Sequence, residues 1–176
     1  MKIRYLLPLT LFLLIAGVLW RGLQLHPGQI PSPLINKPAP AFDLPSLLTS
    51  GHVDNQIFIG KVSLLNVWAT WCYACAQEHD DLSKIADSHE VALFGLDYKD
   101  DSAAAKNWLH EHGNPYQDVA FDANGDTAIN WGVYGAPETF VIDKKGIIRY
   151  KQIGPITPAI WEHDLKPLVM KLRAEP

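Results

Sequence analysis

Apolar and polar positions divide the chain into three stretches. Residues 5–20 are an almost unbroken apolar run behind Lys2 and Arg4. Extended to Leu25, with Arg21 reaching back to the interface, the run is 21 residues long. At about 1.5 Å per helical residue that is roughly 30 Å, the thickness of a bilayer core. The basic flank stays on the cytoplasmic side, which places the rest outside. No small-x-small cleavage site follows, so an uncleaved membrane-anchor helix is expected over residues 1–25. Pro27, Pro31, Pro33, Pro38 and Pro40 then disfavour helix and central strand. Residues 26–40 read as a polyproline spacer reaching up to roughly 45 Å, and residues 41–176 as the folded domain.

Within the domain, residues 41–44 and 56–59 predict a short N-terminal hairpin. Residues 62–69 and 91–97 are near-continuous apolar runs, as in strands buried on both faces. Residues 72–87 carry Cys75, Leu82, Ile85 and Ala86 near a helical period, and 101–112 predict a second helix closed by Gly113. A short strand at 119–121 and a helix at 125–131 follow. Strands at 139–143 and 147–153 flank the turn Lys144-Lys145-Gly146. A last amphipathic helix at 157–172 starts with Thr157 as cap and Pro158 at its first position. Alternating β and α with a late hairpin implies an α/β fold, a mixed sheet covered by helices on both faces.

Charge narrows the function. The 176 residues carry 15 basic and 19 acidic side chains, net −4. All three charges in residues 1–25 are basic, so residues 26–176 hold 15 − 3 = 12 basic against 19 acidic groups, net −7. Such a domain repels phosphate backbones, which argues against nucleic acid as a partner. Two cysteines exclude a disulfide-dense scaffold and a four-cysteine zinc site.

Both cysteines lie in one C-x-x-C, Cys72-Tyr73-Ala74-Cys75, where a buried strand runs into a helix. A thiolate in the first helical turn faces free N–H groups and the positive end of the dipole, and both stabilise it. Cys72 is therefore expected to be the exposed nucleophile. Cys75, one turn in and less exposed, resolves the mixed disulfide. With no third cysteine, and with Ala76 where a haem motif has histidine, zinc and covalent haem both lack ligands. No metal and no cofactor is expected.

The segment Gly132-Val133-Tyr134-Gly135-Ala136-Pro137-Glu138-Thr139 gives the second signal. Together with Leu64-Leu65-Asn66-Val67-Trp68-Ala69-Thr70-Trp71-Cys72, Glu78-His79, Tyr98-Lys99-Asp100-Asp101, Gly113-Asn114-Pro115-Tyr116 and Gly146-Ile147-Ile148-Arg149-Tyr150, it makes the chain resemble the thioredoxin superfamily. It is most similar there to the membrane-anchored periplasmic thiol:disulfide interchange proteins of cytochrome c maturation (CcmG/DsbE type). The resemblance implies a thioredoxin-like fold and a redox disulfide Cys72–Cys75. It also implies a cis bond before Pro137, with Ala136 offering its backbone to a partner strand, and acidic site residues Glu78 and Glu138. Electrons would come from a DsbD or CcdA type membrane reductase. They would pass to an apocytochrome c disulfide, or to a maturation subunit, on the periplasmic side of the inner membrane.

Two departures bear on chemistry. Tyr73-Ala74 stands where the family usually has Pro-Thr, leaving one more amide near the sulfur and adding an aromatic surface. Asn66 stands where thioredoxin carries a buried aspartate; an amide cannot act as a base, which makes Glu78 the candidate for handling the Cys75 proton. Trp71 and Tyr73 are expected to shape the docking surface, with Glu138 at its rim. His79 reads as a surface histidine, Trp68, Trp108, Trp131 and Trp161 as packing residues, and the acids at 80–81 and 97–101 as a solvated face. A general oxidase or isomerase, or a non-enzymatic apocytochrome holder, are the competing functions.

Overall fold

Ser63–Trp68 (β3) has six residues, all buried, and becomes the central strand of a five-stranded sheet. The computed structural model describes residues 3–24 and 32–175, divided into two units, Met1–Ile30 and Pro31–Pro176. Within the first unit Ile3–Gln24 (α1) is a helix. Among the described residues no helix is long and apolar enough to cross a membrane; residues 1, 2 and 25 of the expected anchor lie outside them.

In the second unit the strands are Asp43–Pro45 (β1), His52–Asp54 (β2), β3, Ala92–Tyr98 (β4), Val119–Asp122 (β5), Glu138–Ile142 (β6) and Ile148–Ile153 (β7). The helices are Tyr73–Asp87 (α2), Ser102–His112 (α3), Asp126–Asn130 (α4), Pro158–Ile160 (α5) and Lys166–Ala174 (α6). The sheet order is β5-β4-β3-β6-β7, with β3, β4 and β5 parallel and β6 and β7 antiparallel to their neighbours. The α/β architecture is the expected one.

Register assigns the faces. Leu64 and Trp68 of β3, opposite Leu93 and Asp97 of β4, share one face with Val141 and Thr139 of β6. This face packs on α2, α3 and the C-terminal helices through Leu82, Ile85, Leu109, Leu165 and Val169. Leu65 and Val67, with Phe140 and Glu138, take the other face, closed by Phe42, Phe58, Ala128 and Trp131. Gly95 sits inside β4 because a Cβ there would lie 2.9 Å from the Trp68 Nε1.

Three boundaries differ from expectation. The hairpin pairs Asp43–Pro45 with His52–Asp54, and the apolar residues at 56–59 do not supply its second strand. Asp54 caps a 3-10 turn over Asn55–Phe58 by accepting from Gln56 N at 2.7 Å, which buries Phe58. The described part of the expected spacer, residues 32–40, belongs to the domain. Asn36 N donates to Ile148 O, Ile148 N to Lys37 O and Ala39 N to Gly146 O. The last helix is interrupted by a π turn at Trp161–Leu165. Pro167 has no N–H for the carbonyl four residues back and its ring would crowd it, so the helix widens there.

Candidate functional site

The C-x-x-C lies where expected, at the junction of β3 and α2. Cys72 and Cys75 form a disulfide, and Cys72 is the N-cap of α2, its sulfur accepting from Cys75 N at 3.1 Å. A helix-capping sulfur already receives the N–H that would stabilise its thiolate. Cys72 is not, however, the exposed member of the pair: it is 5% exposed and Cys75 4%. Both belong to one apolar cluster, and Ala136 rests against that cluster. The Ala136–Pro137 bond is cis. Trp71 and Tyr73, on either side of Cys72, are 57% and 79% exposed, and Tyr134 in the loop leading to Pro137 is 71% exposed. The buried disulfide thus has bare aromatic rings beside it in the chain.

Beneath it runs a buried polar chain. Tyr116 Oη donates to Asn66 Oδ1 at 2.8 Å, and Asn66 Nδ2 donates to Glu78 Oε1 at 2.9 Å and Thr139 Oγ1 at 3.0 Å. The other Glu78 oxygen accepts from Ile156 N at 2.6 Å. Asn66 uses its amide to hold Glu78, three residues beyond Cys75 on α2. Burial raises the Glu78 pKa to about 7, against the pull of the Ile156 and Asn66 donors. A carboxyl poised there can take and return a proton near neutrality, which suits a thiol neighbour.

Glu138 is not at a rim. Its side chain is buried, and register sets it on the face opposite α2. Glu138 Oε1 accepts from Tyr134 N at 3.1 Å, and Oε2 lies 2.8 Å from the Lys151 Nζ, which also donates to Gly132 O at 2.7 Å. This buried ion pair braces both ends of the 132–138 loop from behind. Sequence reading misses Lys151, since a lysine in an edge strand looks solvated until its partner is known. Lys151→Ala strands the Glu138 charge, and urea unfolding is expected to show a loss of about 3–5 kcal/mol, partly restored by adding Glu138→Gln.

His79 is also buried, contrary to expectation, with Nε2 3.1 Å from Gly113 O and its ring edge-on to Trp108. Burial lowers its pKa. Among the described residues no three His, Cys, Asp or Glu side chains could hold a metal ion.

The turn before Cys72 is tied to the β4–α3 loop. Asp100 accepts from Thr70 N at 2.5 Å and from Thr70 Oγ1 at 2.8 Å, while Trp71 Nε1 donates to Lys99 O at 3.0 Å. The acids at 97–101 are therefore not simply a solvated face. Asp97 is fully buried, Asp100 latches the turn, and Asp101 caps α3 through Ala103 N and Ala104 N.

The Redoxin family model matches residues 34–166. The thiol:disulfide interchange protein DsbE of Allochromatium vinosum is 47% identical over 96% of this chain and 93% of its own length. DsbE of Pseudomonas aeruginosa is 48% identical over 97% and 95%. This chain belongs to the DsbE family. Among solved structures, a DsbE-described protein of Chlorobium tepidum superposes with a TM-score of 0.68 at 26% identity, covering 78% of this chain and 96% of its own. A secreted thiol-disulfide isomerase of Corynebacterium glutamicum gives 0.66 at 25% identity, covering 75% and 85%. As a DsbE-family member with a thioredoxin-like fold, the chain is a thiol:disulfide oxidoreductase, and it carries a Cys72–Cys75 pair.

Proposed function

We propose that the chain is the dithiol reductant of cytochrome c assembly, acting on the haem-attachment cysteines of an apocytochrome c or on a maturation dithiol subunit. The observation that carries this reading is the helix-capping Cys72–Cys75 disulfide beside a buried carboxyl, Glu78, titrating near neutrality. In the reducing direction the Cys72 thiolate attacks a partner disulfide, forming a mixed disulfide and releasing one partner thiolate. Cys75 then gives its proton to Glu78 and attacks the Cys72 sulfur. Cys72–Cys75 forms, the second partner thiolate leaves, and two electrons have passed to the partner. A DsbD or CcdA type membrane reductase returns them. Trp71, Tyr73 and Tyr134 supply docking area, and the Ala136 backbone pairs with an extended partner strand. Lys151 and Glu138 hold that loop in place.

In this reading residues 1–25 anchor the domain on the periplasmic side of the inner membrane, although α1 as described falls short of a crossing by itself. Leu11, Phe12, Leu14, Val18 and Trp20 are bare along it, which supports this reading. Recovery of the mature chain in the alkaline-soluble fraction would refute it.

The decisive measurement is the reduction potential of the full chain, with turnover of a C-x-x-C-H peptide disulfide. A potential of about −200 mV or lower, with peptide reduction, is the expected result. A value near −120 mV, or faster action on a scrambled multi-disulfide protein, would favour the isomerase reading that the likeness to the Corynebacterium glutamicum protein raises.

A further inference from the structure

One buried carboxyl has no part in the chemistry described so far. Asp97 ends the buried part of β4, opposite Trp68 and Phe121 in the register and on their face of the sheet. It is 0% exposed, and neither of its oxygens finds a donor N–H or O–H. Its contact is another acid, since the Asp97 and Asp100 carboxyls meet within hydrogen-bonding reach. Two carboxyls in that arrangement cannot both be bare anions away from water; one of them keeps a proton. Three N–H or O–H groups identify the carboxylate. Thr70 N, Thr70 Oγ1 and Asp101 N all donate to Asp100, so the proton sits on Asp97.

We propose that Asp97 is a positioning residue for disulfide exchange: as the neutral acid it donates to Asp100, which holds Thr70 and so sets the turn presenting Cys72. The latch has three links, Asp97 to Asp100, Asp100 to Thr70, and Thr70 through the turn closed by the 3.2 Å bond from Cys72 N to Ala69 O. Asp97 touches neither sulfur through any of them and acts on Cys72 only by holding the loop.

The groups facing Asp97 set the condition under which the latch works. Asp100 and Asp101 from the β4–α3 loop and Asp122 from β5 are acids, and Tyr116 packs nearby as a neutral phenol. Burial first, and then Asp100, Asp101 and Asp122, raise the Asp97 pKa to about 8. Above that value two like charges meet, Asp97 ceases to donate, and Asp100 is pushed from Thr70. Below it the latch is closed, and the region where it begins to fail lies just above neutrality.

The Thr70 amide reports this directly, because it is bonded to Asp100 and carries no titrating group itself. In the oxidised full chain in detergent micelles no thiol titrates, so its proton resonance is followed from pH 6 to 10. The wild type is expected to show one transition near pH 8. Asp97→Asn, whose amide donates to Asp100 at every pH, should show none. Asp100→Asn removes the like charge and should move the Asp97 transition to lower pH. In kinetics, the ratio of wild-type to Asp97→Asn rates of disulfide reduction by a small thiol cancels the reductant's own titration. That ratio should be flat below pH 7 and fall at least threefold by pH 9. A Thr70 resonance that does not move in the wild type, one that moves equally in Asp97→Asn, or a flat rate ratio each overturns the proposal.

Discussion

Full-length chain carrying Cys72→Ser is expected to lose disulfide exchange altogether, while Cys75→Ser accumulates covalent partner complexes. The asymmetry follows from how α2 begins. Cys72 is the residue that accepts the Cys75 N–H at the helix start, so its sulfur is the one whose anion the backbone and the dipole favour. A serine hydroxyl keeps the cap, and so keeps the fold, but has no reactivity towards a disulfide. With Cys75 replaced, Cys72 can still open a partner disulfide, and nothing is left to resolve the product. The check is non-reducing electrophoresis with mass spectrometry after mixing with a disulfide-containing C-x-x-C-H peptide. Complexes trapped through Cys75 in the Cys72→Ser variant would reverse the roles.

The oxidised chain is expected to be several kcal/mol more stable at pH 5 than at pH 8, opposite to the usual behaviour of paired surface carboxylates. Glu78 has its folded pKa raised from 4.5 to about 7 by burial. Between these values the folded chain holds a proton that the unfolded chain has released. The stabilisation is therefore complete below the unfolded value and disappears as pH climbs through 7. At about 1.4 kcal/mol for each pH unit between those two values, Glu78 alone contributes about 3–4 kcal/mol. Asp97, raised from 3.8 to about 8, carries the same downward slope on past neutrality. Urea unfolding from pH 4 to 9 reads the sum. Glu78→Gln should roughly halve the slope below pH 7, where Asp97 still contributes, and leave the segment between 7 and 8. A general base is worth about 10²-fold or more, so the same variant should slow resolution of the mixed disulfide by that order. Stability that rises from pH 5 to 8 in the wild type would show that Glu78 is ionised throughout.

The central sheet is legible in the chain alone because β3 and β4 are buried on both faces, and short continuous apolar runs bounded by turn residues are what such strands require. The C-x-x-C is legible for a similar reason, as its chemistry depends on four adjacent residues and the helix they open. Side chains whose meaning lies in a distant partner are not. Glu138 and Lys151 are ordinary polar residues until β6 and β7 pair and set Phe140 opposite Lys151, bringing the charges together behind the loop. Asp97 closes a strand that the apolar run does mark, but an acid at the end of such a run, followed by Asp100 and Asp101, looks solvated until the neighbouring strands and the next loop are seen to bury it. His79 resembles a surface residue because helical period alone does not say that α3 and Gly113 cover that side of α2. The hairpin is mispaired from sequence because apolar residues at 56–59 suit a strand as well as a capped turn, and only Asp54 separates the two.

The stitching of residues 36–39 to residues 146–148 fixes where the domain can be held. β7 begins beside the end of β6, and β6 runs against β3, so these bonds lie at the pole of the sheet away from Cys72. The strand between the poles is six residues long, about 20 Å. Residues 36–39 are thus a clamp at that pole, closed before the chain reaches the sheet. A pull applied at that clamp loads the seam between residues 36–39 and β7, while the buried sulfurs lie at the opposite pole.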